Sequence, residues 1–124
     1  MAFVLAGLYA YRAARPCGAG VGDPAGAVSG VLRAIERQDE RALCQRVGAG
    51  YTIPTMQEQA LRQRIEAAGG AGGLTVEDQE DQQLGAQHLL SVGTENGEVV
   101  AQFQTLVGER GAIVVAVTTS PGQW

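Results

Sequence analysis

The chain has 124 residues, of which 45% are hydrophobic and 18% are charged. This length and composition predict one folded domain and argue against intrinsic disorder. The formal net charge is −4 and the isoelectric point is near 4.9. Because a nucleic-acid-binding protein needs a basic surface, these values argue against nucleic acid as a partner.

The chain opens with an apolar run, residues 2–11, that is followed by Arg12 and Arg15. A helix of about ten residues covers roughly 15 Å, half of the roughly 30 Å hydrocarbon layer, so the run cannot span a membrane unaided. Since the positive charge follows the apolar run, we interpret it as the tail end of a transmembrane or signal segment whose beginning is missing or shortened. The alternative is an amphipathic helix or strand packed on the domain. We therefore expect membrane contact through residues 2–11.

Residues 18–23 are rich in glycine and indicate a flexible linker. Residues 1–22 are accordingly predicted to be an N-terminal segment with its linker, and residues 23–124 a single domain. The two cysteines, Cys17 and Cys44, flank this boundary. They are consistent with one disulfide or with two small buried thiols, and outside the cytoplasm the disulfide is expected.

Three helices are predicted ahead of any strand. Asp23 followed by Pro24 is typical of a helix start, and the first helix extends to Gln38. Asp39 is expected to cap a short helix over residues 40–47. Thr55 and Glu58 have the spacing of a capping box that opens a third helix, residues 56–68. The residues predicted to point inward are Val28, Val31, Leu32, Ile35, Leu43, Cys44, Val47, Met56, Ala60, Leu61, Ile65 and Ala68.

The second half of the chain alternates with period two, which predicts strands. The first two strands are expected over residues 74–79 and 85–92, and Asn96-Gly97 indicates a hairpin turn after them. A long hairpin then occupies residues 97–119. Its second run is apolar on both faces, so we predict it to be the central strand of the sheet.

His88 is the only histidine and therefore the only side chain whose reference pKa lies near neutrality. Strand alternation places it on the face of Leu90 and Val92. It is the one candidate catalytic residue, and the alternative is a structural histidine. With no second histidine and no ligand-spaced cysteine pair, neither a metal site nor a cofactor is predicted. Residues predicted to line a ligand pocket or a contact surface are Tyr51, His88, Phe103 and Trp124.

An acidic group follows the first predicted strand, at Glu77, Asp78, Glu80 and Asp81. Its spacing matches no calcium loop, and strand alternation separates Glu77 from Asp78. The group is interpreted as a solvated turn.

Helices followed by antiparallel strands predict an α+β fold with the helices on one face of a curved sheet of about four strands. Residues 31–39 with 41–44, residues 61–76, and the strands at Val99 and Val114 resemble the cystatin-like cone of the nuclear transport factor 2-like superfamily. They look most like its small secreted or membrane-anchored domains from high-GC Gram-positive bacteria. The resemblance covers residues 23–119. Family members often end in a strand reading Gly-x-Trp-x-Ile, and this chain stops at Trp124.

The resemblance implies three functions, the first of them a non-catalytic binding or interaction module in the cell envelope, secreted or membrane-anchored. It would hold a small apolar ligand or dock a protein partner, and could form a homodimer through the sheet. The second is an assembly component of a secretion or conjugation apparatus. The third is a small isomerase or hydrolase, because enzymes of the superfamily place Asp, His or Tyr inside the cone, which here leaves His88 and Tyr51.

Overall fold

The computed structural model describes residues 17–48, 50–79 and 87–120. These ranges contain helices α1 (Pro24–Arg37), α2 (Glu40–Arg46) and α3 (Thr55–Ala67), a single 3-10 turn (Ala71–Gly73), and four strands. The strands are β1 (Thr75–Asp78), β2 (Gln87–Gly93), β3 (Val99–Gly108) and β4 (Gly111–Thr118). They form one antiparallel sheet in the order β1-β2-β3-β4. The predicted α+β class is therefore confirmed.

Helix α1 is the element that covers the sheet, since it packs against all four strands. It begins as predicted, with the Gly26 backbone N–H donating to Asp23 Oδ1 at 2.7 Å. It ends at Gln38, which has a left-handed φ of 57°. The predicted apolar stripe is buried, and the core formed with the sheet includes Val28, Val31, Leu32, Ile35, Leu90, Val92, Ala101, Phe103, Val114 and Val117.

The two shorter helices confirm one predicted start and contradict the other. Asp39 caps α2, because its Oδ1 accepts the Ala42 backbone N–H at 3.1 Å. The capping box at Thr55 is wrong: the helix begins at Thr55 itself, and Pro54 occupies the cap position without a side-chain bond. Starting the helix one residue early removes Thr55 from the place where its hydroxyl could cap it.

The inward face of α3 is narrower than predicted. Leu61 and Ile65 are buried, as their spacing indicated. Met56 was expected to point inward, but it is 82% exposed in the first turn of the helix. Its prediction rested on helical spacing alone, which does not show where the buried face of a helix begins.

Strand β4 is an edge strand, so its predicted central position is wrong. Its outer edge is covered instead by two segments from the N-terminal half of the chain. Val21 N–H donates to the Ala112 carbonyl at 3.1 Å, and Ala112 N–H donates to the Gly22 carbonyl at 2.9 Å. Gly48 N–H donates to the Val114 carbonyl at 2.7 Å. The double-sided apolar pattern of β4 therefore reflects cover by these segments, which we call the strap (residues 20–22 and 47–48).

The strap replaces the flexible linker predicted for residues 18–23. Gly20 is buried with φ +87°, and a Cβ built on it would lie 2.8 Å from the Gly111 carbonyl oxygen. Only glycine combines that backbone conformation with so close an approach to another chain segment. Gly20 is thus required for this close packing of the strap on β4.

Several predictions concern residues outside the described ranges. These include the apolar run at residues 2–11, the acidic residues Glu80 and Asp81, and Trp124. Within the described ranges, no helix is both long and apolar enough to cross a bilayer.

Candidate functional site

A disulfide joins Cys17 to Cys44, the first of the two alternatives that the sequence left open. Their Cα atoms are 4.7 Å apart, although 27 positions separate the residues in sequence. Backbone bonds continue the contact, since Gly18 N–H donates to the Cys44 carbonyl at 2.8 Å and Gly20 N–H to that of Gln45 at 3.1 Å. The disulfide therefore fixes the start of the strap to helix α2.

A cavity of about 290 Å³ lies beside this disulfide. It is formed by α2, by the segment that leads from α2 to α3, and by the first turn of α3. The described residues of its lining are Cys17, Glu40, Leu43, Cys44, Val47, Gly48, Gly50, Tyr51, Thr52, Ile53 and Glu58. We call this space the disulfide cavity.

Tyr51 is the predicted pocket residue that does line a cavity. Burial raises the pKa of its phenol above the ordinary value of 10.0, and a hydrogen bond with the Val117 backbone acts in the opposite direction. The phenol is therefore neutral at physiological pH. Tyr51 thus adds an aromatic side chain to the lining without adding charge.

The rest of the lining combines apolar walls with two carboxylates. Val47 and Ile53 are buried, and Leu43 is partly buried against the same core. Glu40 and Glu58 come from different helices, and the described lining contains no arginine and no histidine. Apolar walls with a few polar groups are typical of small-molecule sites, and the volume is close to the lower limit of about 300 Å³ for such pockets.

His88 lies on the core-facing side of β2 as predicted, opposite Thr105 of β3 in the register. Its Nδ1 is 2.9 Å from Asp78 Oδ2, and the two side chains are 16% and 27% exposed. Asp78 is the register partner of Leu90 and so shares that side of the sheet. Asp78 is thus not part of a solvated turn, because the strand continues through it and turns its carboxylate toward the histidine.

Two oxygens on this side of the sheet are buried without a hydrogen-bond partner: Thr105 Oγ1 and Asp78 Oδ1. Burying an unpaired polar atom costs on the order of 1–3 kcal/mol, so such atoms are rare in a region kept only for packing. His88 itself lines neither the disulfide cavity nor the two other described cavities, of about 420 Å³ and 260 Å³.

The structure does not bring the predicted site residues together. Tyr51 lies at the disulfide cavity, His88 pairs with Asp78 on the sheet, and Phe103 is fully buried in the core. Trp124 is outside the described ranges. Among the residues that are described, no group of His, Cys, Asp and Glu side chains could hold a metal ion.

Sequence reasoning missed Glu40, Glu58 and Asp78 as site residues. The signal for Asp78 was present, because it alternates with Val76 in a strand that pairs with the strand of His88. The two glutamates carried no such signal. They line one cavity because the segment that joins α2 to α3 brings the first turns of the two helices to the same space.

Comparison with models of protein families, with curated proteins and with solved structures found no match to this chain. The function therefore has to be argued from the residues themselves.

Proposed function

We propose that this protein is an extracytoplasmic binding module whose disulfide cavity receives a small, predominantly apolar ligand. The observation that carries the proposal is the cavity itself, with its apolar walls and a disulfide in its lining. Disulfides persist in oxidising compartments, which supports a location in the cell envelope or outside the cell, secreted or tethered to a membrane.

We propose further that the sheet and α1 form a cystatin-like cone of the nuclear transport factor 2-like kind. The support is that one long helix packs across all four strands of an antiparallel sheet. In this arrangement the disulfide cavity is next to the β4 edge, because its lining residue Gly48 donates to the Val114 carbonyl. The cone then acts as a scaffold, and ligand binding takes place at its side.

The binding function can be tested by titrating the full ¹⁵N-labelled chain with benzyl alcohol, a small neutral aromatic probe. We expect saturable shifts of the backbone amides of Leu43, Val47 and Tyr51. Leu43→Trp fills the cavity and should abolish the shifts. Leu106→Trp is the matched control, because Leu106 is a partly exposed leucine on β3 outside the cavity lining.

Thermal unfolding must show that both tryptophan variants are folded, and Ile53→Phe serves as a second filling variant if Leu43→Trp is not. Shifts that are absent from the parent protein would refute the binding function. If the amide shifts persist in a folded variant whose cavity is filled, the probe binds somewhere other than the disulfide cavity.

A second candidate function, general acid–base catalysis, is favoured by the Asp78–His88 pair. A carboxylate bonded to one ring nitrogen fixes the histidine tautomer and leaves the other nitrogen to take up a proton. Hydrolysis of an activated ester tests this role. We expect a rate in the parent protein that His88→Gln removes and Asp78→Asn lowers, whereas equal rates in all three proteins would exclude catalysis of this kind.

A further inference from the structure

We propose that the disulfide cavity selects organic cations, an ammonium or guanidinium group carried on a short apolar stem. This inference rests on the proposed binding function and specifies its ligand. The chemistry is shared by a free small amine and by a lysine or arginine side chain of a partner protein.

The first support is the distribution of charge in the lining. Glu40 is in the first turn of α2 and Glu58 in the first turn of α3, so two separate helices bring a carboxylate to one cavity. No cationic side chain belongs to the described lining. An anion placed there would meet two like charges, while a cation would be attracted to both carboxylates.

The carboxylate of Glu58 forms only a weak ion pair with Arg62. Arg62 Nη2 lies 3.7 Å from Glu58 Oε1, one helical turn along α3, and both side chains are partly exposed to solvent. Exposed pairs with this spacing contribute only about 0.3–0.5 kcal/mol. A ligand cation inside the cavity can therefore compete with Arg62 for the Glu58 carboxylate.

The second support is Tyr51. Tyr51 is an aromatic residue of the same lining, and burial raises the pKa of its phenol further above neutrality. Aromatic rings attract cations at their faces, most strongly where water is partly excluded. Leu43, Val47 and Ile53 complete an apolar wall for the stem of the ligand. The lining thus offers partners both for the charged end of the ligand and for its apolar stem.

The net charge of the protein also favours a cationic ligand. The chain carries a formal net charge of −4. A net negative protein concentrates cations near its surface and repels anions, an effect that weakens as salt is added. Selection for cations is therefore expected to be strongest at low ionic strength.

The experiment compares three probes of one size in the full chain: benzylammonium, benzyl alcohol and benzoate. Their binding is followed by the same backbone amides at low salt. We expect benzylammonium to bind about tenfold more tightly than benzyl alcohol, and benzoate to bind more weakly than either. Equal affinity of the cation and the alcohol would overturn the inference while leaving the binding function intact. If none of the three bind, the binding function itself fails.

Variants assign the preference to the two carboxylates. Glu40→Gln and Glu58→Gln should each reduce benzylammonium affinity about threefold to fivefold and leave benzyl alcohol affinity unchanged. Glu66→Gln is the matched control, because Glu66 is exposed near the end of α3 and outside the described lining. An equal loss in the Glu66 variant would show a general field effect and refute selection by the cavity.

The source of the cation is distinguished by a fourth probe, the capped peptide acetyl-Gly-Arg-Gly-amide. If it binds more tightly than benzylammonium, the ligand is a partner's side chain; if it binds more weakly, the ligand is a free small cation. Both outcomes agree with selection of an organic cation by the cavity. Failure of both cations to bind more tightly than benzyl alcohol would overturn it.

Discussion

The two edges of the sheet are protected in different ways. Strand β4 has eight residues and is apolar on both faces, and the strap covers its outer edge. Strand β1 has only four residues, and its exposed positions are Thr75 and Glu77. Unpaired edges invite pairing with other chains, and short or charged edges resist it. A short strand with polar exposed positions thus resists edge pairing by its own residues, whereas the long apolar β4 is protected by a segment from another part of the chain.

The largest expected loss of stability comes from placing a charge in the core at a buried position of β4. Val114 is fully buried, and its carbonyl accepts the bond from Gly48. Val114→Asp should therefore lower the free energy of unfolding by about 4 kcal/mol, because an unpaired charge is buried. Chemical denaturation measures the change, with Val99→Asp as a control at a 41% exposed position of β3. Similar small losses in both variants would mean that the Val114 side chain does not lie in the core.

Opening the disulfide should expose the β4 edge without altering the β1 edge. In the chain-entropy model, a cross-link of this loop length contributes about 3.5 kcal/mol, so Cys17→Ala with Cys44→Ala should lose up to that amount. The amides of Val21 and Ala112, which bond across the strap, should exchange with solvent faster. Unchanged exchange at both amides would show that hydrogen bonds alone hold the strap.

A smaller effect is expected from crowding the strap. Gly20→Ala should cost about 2–3 kcal/mol, since the new methyl group would approach the Gly111 carbonyl and φ is positive. Gly22→Ala is the matched control, because Gly22 has φ +67° but open space around its Cβ position. It should cost only about 1 kcal/mol of backbone strain. If thermal unfolding shows the same loss of stability in the Gly20 and Gly22 variants, Gly20 does not lie in tight contact with the Gly111 carbonyl.

The smallest effect is the pH dependence contributed by Tyr51 near the β4 edge. Its pKa is raised in the folded state, so its contribution to stability is complete below pH 10.0 and falls as the pH rises through the folded pKa. Relative to Tyr51→Phe, the parent should lose unfolding free energy as the pH rises above 10.0. Parallel curves for the two proteins over that range would contradict the raised pKa.

The sequence predicted what depends on local periodicity. The stripe of α1, the caps at Asp23 and Asp39, and the alternation of β2 and β3 all follow from side-chain spacing within one element. The position of β4 did not, because cover by a distant segment and cover by neighbouring strands leave the same apolar pattern. The sequence pattern of an edge strand that is covered by a strap therefore predicts a central strand.

The candidate site was predictable only in part. Tyr51 and the Cys17–Cys44 pairing were among the expected features, but the cavity arises from three segments that meet only after folding. Glu40 and Glu58 resemble ordinary first-turn glutamates in sequence, where carboxylates favour the helix dipole. Their second property, sharing a cavity, depends on packing that no local pattern records.

The place of the disulfide also determines how the domain would bear mechanical load. A pull on the chain that precedes Cys17 would otherwise act on the bonds of Val21 and Gly22 with Ala112, one after another, and peel the strap from β4. The covalent link passes the tension to Cys44 in α2 instead. The hydrogen bonds between the strap and β4 are thus shielded from a pull on that part of the chain.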